Sequence, residues 1–157
     1  MKTEPNYWLI KSEGDCYPID QLKKDKKTPW SGVRNYQARN FMRDGMSVGD
    51  LALFYHSQDK PSGVYGIAQV TSKPHPDESQ FDTKDEHFDS KSKRETPTWI
   101  CVDFKFVEKF AHPISLAELK IDPKLEGMRV RQRGDLLSVH PVSKKHFEYI
   151  VQLGKEE

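Results

Sequence analysis

The chain has 157 residues, the length of one ordinary domain, enough to close a single hydrophobic core and short for two. Its 25 Lys and Arg against 24 Asp and Glu leave a formal charge of +1, which excludes a histone-like polycation and an acidic tail protein and confines any nucleic-acid contact to a local patch. Aliphatic and aromatic residues make up only 35%, yet three Trp, six Tyr and eight Phe are large side chains to bury, so long disorder is not expected.

In chain order, Tyr7 to Lys11 is short, aromatic and β-branched and predicts a strand. Pro18 then opens one or two helical turns over Ile19 to Lys23, followed by the basic run Lys23-Lys24-Asp25-Lys26-Lys27, which reads as a solvated helix end rather than a recognition patch. Asn35 to Asp44 carries no Gly or Pro and predicts a helix stopped by Gly45. After the turn at Val48-Gly49-Asp50, Leu51 to Tyr55 is a continuous apolar run that predicts a buried strand. Pro61-Ser62-Gly63 turns the chain into a partner strand over Val64 to Val70, whose glycines suggest a bulge or a close backbone approach.

From Lys73 to Pro97 the composition shifts to Pro, Asp, Glu, Lys and Ser, with Phe81 and Phe88 as the large anchors, and a long flap is expected. Ile100 to Val107 alternates as a half-buried strand, with Ile100, Val102, Phe104 and Phe106 on one face. Pro113 precedes a short helix over Ser115 to Lys120, Met128 to Arg133 and Leu136 to Val139 look extended, and Ser143 caps a last helix ending near Gly154. Strands joined by hairpins and single short helices do not make a regular parallel sheet. The expected fold class is α/β (α+β): one domain over 1–157, a small, curved mixed β-sheet or barrel flanked by short helices.

No apolar run approaches the about 20 residues that span a bilayer. Met1 to Asn6 is polar, and Cys16 and Cys101 stand far apart with no metal-ligand spacing. These features suit a cytoplasmic protein without membrane contact, with two unpaired thiols.

Chemistry concentrates in Lys11-Ser12-Glu13 and in Trp30 to Asn40. An aromatic face beside Arg, Asn and Ser is what a pocket for a flat heterocycle needs: stacking on one side, directional donors and acceptors at the ring edge. Trp30 equally fits a core position, with Arg34 and Asn35 capping the following helix. Tyr55-His56-Ser57 ends a buried strand, where it can line a cavity mouth, form a solvated hairpin end or, more remotely, hold a Ser/His nucleophile. His75, Asp77, Glu78, Asp82, Asp85, His87 and Asp89 are borderline and hard ligands without a metal-site spacing, so a polar flap is the simpler reading. Arg129, Arg131 and Arg133, if on a strand, share one face that could meet phosphates or blunt a sheet edge.

These residues also form a pattern. Tyr7-Trp8-Leu9-Ile10-Lys11-Ser12-Glu13, then Trp30-x-Gly32-Val33-Arg34-Asn35-Tyr36-Gln37-Ala38-Arg39-Asn40, Gly49-Asp50, Phe54-Tyr55-His56-Ser57, Gln80-Phe81-Asp82, Pro113-Ile114, Arg133-Gly134 and Leu137-Ser138-Val139 before Pro141-Val142 resemble the EVE domain family, including its thymocyte nuclear protein group. The likeness runs from Tyr7 to about Leu153. It implies a PUA-like fold and a non-enzymatic module that binds DNA or RNA carrying a modified base, with no cofactor. Lys11-Ser12, Trp30-Ser31 and Gly63 to Gln69 are similar, over shorter stretches, to YTH domains, in which a Trp matching Trp30 forms part of an aromatic cage. In that reading Trp30 stacks on the base, Lys11, Ser12, Arg34 and Asn35 supply edge and phosphate contacts, Tyr55, His56 and Ser57 complete the wall, and Val33, Tyr36 and Arg133 are further base-binding residues. Two departures stand out: Gly14 replaces the family's usual Pro, and Asp135-Leu136 replaces its Ser-Arg, which removes one arginine.

Overall fold

The structure is a computed structural model that describes residues 5–13, 17–57, 61–131 and 137–155. Among the described residues eight strands and four α-helices follow in the order β1 (Tyr7–Glu13), α1 (Ile19–Asp25), β2 (Lys27–Pro29), α2 (Tyr36–Asn40), β3 (Leu51–Ser57), β4 (Gly63–Val70), β5 (His75–Pro76), β6 (Ile100–Cys101), β7 (Asp103–Ser115), α3 (Leu116–Ile121), β8 (Val139–Val142) and α4 (Lys144–Lys155). Six strands form one curled mixed sheet, β2-β7-β4-β3-β1-β8, and β5 and β6 make a small ladder of their own. β1 and β3 run parallel, and the other pairs in the large sheet are antiparallel.

β1 and β3 lie in the middle and are buried on both faces, which is why they read as continuous apolar runs rather than alternating ones. Trp8, Ile10, Ala52 and Phe54 face a core shared with α1, α2 and Phe104; Leu9, Leu53 and Tyr55 face a second core with α3, α4 and Phe110. The fully buried Asp50 locks the entry to β3, accepting from the Asn6 and Ser47 backbone N–H groups and from the Trp8 indole N–H.

The predicted hairpin is β3–β4, and its bulge falls at Gly66, opposite Phe54. A Cβ on Gly66 would meet the Glu108 carbonyl oxygen, so only glycine lets β4 and the bent β7 approach there. The caps read from sequence at Asn35 and Ser143 hold, Asn35 Oδ1 accepting from Ala38 N and Ser143 Oγ from His146 N, while Ser115, expected as the first helical residue, is instead the N-cap of α3 in a reciprocal capping box with Glu118.

Three expectations are corrected. The helix from Asn35 does not run regularly to Gly45: α2 widens after Asn40 into a turn with a Met46 N to Phe41 O bond, and Gly45 is not in the left-handed region. A Cβ on Gly45 would lie 2.9 Å from Trp8 Cη2, so this glycine makes room for an indole instead of stopping a helix. The segment predicted as one alternating strand breaks at Val102, because β6 pairs with β5 while β7 pairs with β4 and β2; Cys101 and Val102 are consequently both buried. Arg129–Arg131 is a 3₁₀ turn, not a strand, wound so that Val130 joins Met128 and Leu125 in the second core. Arg133, Leu136 and Cys16 lie outside the described residues.

Candidate functional site

Where β1 and β3 end, beside β2 and the loop leading to α2, the sheet opens on a cleft of about 940 Å³, at the upper end of the roughly 300–1,000 Å³ usual for small-ligand sites. One wall belongs to the sheet and its connections: Lys11, Ser12, Tyr17, Trp30, Ser57 and Ser138. The loop Ser31 to Asn35 forms the floor between the walls, and the flap contributes Asp85, Glu86 and His87.

The sheet wall is fixed by packing. Trp30 keeps 7% of its surface and stands perpendicular to Phe54 and Phe104, each with ring centroids 5.6 Å away, and to Tyr17 at 6.3 Å. The two sequence readings of Trp30 therefore merge: it is a core residue, and its remaining edge lines the cleft. Ser12 donates from its hydroxyl to the Tyr17 carbonyl, and Ser57 donates to the Ser12 carbonyl at 3.2 Å. The Tyr17 hydroxyl donates to Asp25 at 2.7 Å; burial first and that carboxylate second push its pKa up to about 12, so it stays a neutral phenol.

The flap wall is fixed by polar bonds. Its acid-rich sequence is a succession of turns in which an aspartate accepts from the backbone N–H two residues on: Asp77 from Ser79, Asp82 from Lys84, Asp85 from His87 and Asp89 from Lys91. Each of these carboxylates commits one oxygen to its turn, and no three His, Cys, Asp or Glu groups converge as metal ligands among the described residues. The anchors are not the expected Phe81 and Phe88, of which Phe88 is exposed, but the buried Asp77 and Gln80. Gln80 donates to the Asp77 and Trp99 carbonyls and accepts from Trp99 N and Ser92 Oγ.

Arg34 joins the two walls. Its guanidinium meets Asp77 Oδ2 at 3.1 Å, the His87 carbonyl at 2.7 and 3.1 Å and Ser79 Oγ at 3.0 Å. Burial alone would raise the Asp77 carboxyl, but donation from Ser79, Gly32 N and Arg34 outweighs it and holds the group below the usual carboxylate range. Gly32 is required twice here: its φ is +85°, and a Cβ would lie 2.9 Å from the His87 ring. Hence Arg34 positions the site more than it faces it, and Asn35 caps α2.

Of the residues expected from sequence, Lys11, Ser12, Trp30, Val33, Arg34, Asn35 and Ser57 line the cleft. Tyr55 and His56 do not, because β3 is buried on both faces: Tyr55 sits in the second core and His56 packs edge-on against Tyr65. Tyr36 points outward at the start of α2. Asp85 and His87 read from sequence only as polar-flap residues or weak metal-ligand candidates and Glu86 carries no signal, since nothing local says that Arg34 will hold the His87 carbonyl from 53 positions away. Chemically, the cleft offers an aromatic edge and hydroxyls on one side and carboxylates with an imidazole on the other, which suits a flat heterocycle with mixed donors and acceptors. Nucleophilic chemistry is poorly served. Ser57 and His56 project to opposite sides of β3, and the Cys101 thiol, beside the His75–Asp103 pair, is pushed up to about 12, chiefly by burial.

Comparison with known proteins places these features in context. A sequence profile of the EVE domain matches residues 6–153. Thymocyte nuclear protein 1 of chicken is 38% identical over all of this chain and 68% of its own length. A hypothetical protein of Leishmania major superposes with a TM-score of 0.91 at 44% identity, covering 97% of this chain and 96% of that one. The human THYN1 protein, in complex with 5-methylcytosine-containing DNA, superposes with a TM-score of 0.86 at 36% identity, covering 97% and 99%. The YTH likeness extends to the fold: the YTH domain of Zygosaccharomyces rouxii MRB1 gives a TM-score of 0.53 at 16% identity, covering 99% and 88%.

Proposed function

Because this chain belongs to the EVE domain family, we propose that its cleft is a non-catalytic receptor for one modified base of DNA or RNA, flipped out or single-stranded. The observation that carries this reading is the likeness, over nearly the whole chain, to a human protein held in complex with 5-methylcytosine-containing DNA. Methylated cytosine in DNA is accordingly the first ligand to test. The cleft chemistry agrees with it. The exocyclic amine of a cytosine is a donor of the kind Asp and Glu accept from, and Asp85 and Glu86 stand on the flap wall. Trp30 and Val33 give the ring and its methyl group an apolar surface, and Lys11 and Ser12 stand at the end of β1, where the sugar-phosphate would enter. One buried methyl group contributes about 0.8 kcal/mol, roughly a fourfold preference over the unmodified base.

Titrating short oligonucleotides that carry 5-methylcytosine, cytosine or other modified bases into isotopically labelled protein tests this. The amides of Lys11, Ser12, Ser31 to Asn35 and Asp85 to His87 and the Trp30 indole are expected to shift together, with the modified strand preferred and recovered unchanged. Shifts confined to the second core, equal affinity for all strands or conversion of the base would overturn the proposal.

A further inference from the structure

Tyr36 was expected in the pocket and instead stands just outside it, 61% exposed, as the first residue of α2 after the cleft residue Asn35. Its ring lies nearly parallel to that of Trp99, with centroids 5.0 Å apart and 22° between planes. The Arg39 guanidinium is 4.9 Å from the Tyr36 ring centre and 5.9 Å from that of Trp99. Were Arg39 to cover the far face of Tyr36, its distance to Trp99 would approach the sum of the other two separations. It does not, so Arg39 sits beside the stack and the outer face of Tyr36 is open.

We propose that this outer face is a second stacking platform, for the base adjacent to the one in the cleft; the inference rests on the reading of the cleft as a nucleic-acid site. The platform is built in advance. Trp99 is buried, its indole N–H donates to Asp89 at 2.9 Å, and the Arg34 guanidinium covers its ring at 5.1 Å. Arg39 is held by the Thr98 carbonyl at 2.7 Å and by Asn40 Oδ1, so little freedom is lost when a base arrives. A lone exposed aromatic needs no explanation. One stacked on a buried Trp and edged by arginine is the arrangement that holds single strands, through sequence-tolerant stacking and cationic attraction. Continuity with the cleft selects the occupant. Asn35 lines the cleft and Tyr36 follows it directly at the start of α2, so a strand leaving the cleft past Asn35 runs next to the open face of Tyr36.

Affinities of the wild type, Tyr36→Ala and Tyr36→Phe for 5-methyl-2′-deoxycytidine and for a trinucleotide centred on that base decide the matter. The trinucleotide is expected to bind the wild type more tightly than the nucleoside. Tyr36→Ala should weaken the trinucleotide about 5- to 150-fold, the worth of one base–aromatic stack, and leave the nucleoside unchanged, while Tyr36→Phe keeps the ring and most of the trinucleotide affinity. A trinucleotide that binds no tighter than the nucleoside, or equally to the wild type and Tyr36→Ala, overturns the platform and leaves the cleft reading standing. A wild type that binds neither probe overturns both. Self-association of the wild type that Tyr36→Ala abolishes without changing trinucleotide affinity would make the platform a protein contact and overturn the proposal.

Discussion

The two walls of the cleft are held by different physics. On the sheet side Trp30 is wedged among Phe54, Phe104 and Tyr17, within the core that also holds Trp8 and Phe104. On the flap side a polar segment with few buried apolar residues is held by Asp77, Gln80 and the cross-chain grip of Arg34. Hydrophobic packing is non-directional and spread over many contacts, whereas the flap depends on a few directional bonds to ionised groups. The pocket thus pairs a rigid face with one whose position can be loosened separately, the arrangement expected where a ligand must enter a cleft that later encloses it.

The comparison breaks most severely at Trp30. Trp30→Ala should cost about 3–5 kcal/mol of stability, the usual result of emptying a buried aromatic site, and lower the melting temperature sharply by calorimetry. Trp30→Phe, which keeps an aromatic ring in the same core, is expected to retain the fold and allow binding to be measured. A fully stable Trp30→Ala protein would show that the sheet wall is not held by packing.

Arg34 is next in size. Arg34→Met keeps an apolar stem against Trp99 and removes the bonds to Asp77, Ser79 and His87. Asp77 retains donation from Gly32 N and Ser79, so the loss is expected nearer the about 1.5–3 kcal/mol of a charged hydrogen bond than that of a stripped buried ion pair. Hydrogen exchange locates it: amides of the flap should lose protection while those of β1 and β3 keep theirs. Equal loss in both would mean that the walls unfold as one unit.

This division also explains what the sequence disclosed. The central strands, the β3–β4 hairpin, the caps at Asn35 and Ser143 and the sheet-side cleft residues are legible because apolar runs, glycines and cap residues act locally. The flap wall is not, because Arg34 finds its partners 43 to 53 positions away and the acids there serve turns whose direction only the fold sets. Tyr55 and His56 were misplaced for a related reason: a strand buried on both faces carries no pattern that says which side faces a cavity. Trp99, which carries the Tyr36 stack and anchors the flap, is not legible because neighbouring residues give it no motif.

The smallest expected effect is on pH dependence, since burial opposes the hydrogen bonds at Asp77 and only their net difference titrates. Asp77 is held below the ordinary carboxylate value of about 3.9, and Asp89 is lowered too, foremost by its bond from the Trp99 indole. A carboxyl whose folded value is depressed contributes stability that is complete above its unfolded value and disappears as pH falls through the folded one. Acidification through and below about pH 4 should therefore loosen the flap while the sheet wall, which rests on packing, keeps its protection. The Gly32 amide, which donates to Asp77 at 2.8 Å, is the local reporter: its resonance should move over that interval, and the movement should be absent in Asp77→Asn. If β1 amides lose protection in step with the flap, or if the Gly32 titration survives in Asp77→Asn, the acid response belongs to the whole fold and the contrast between the walls does not hold.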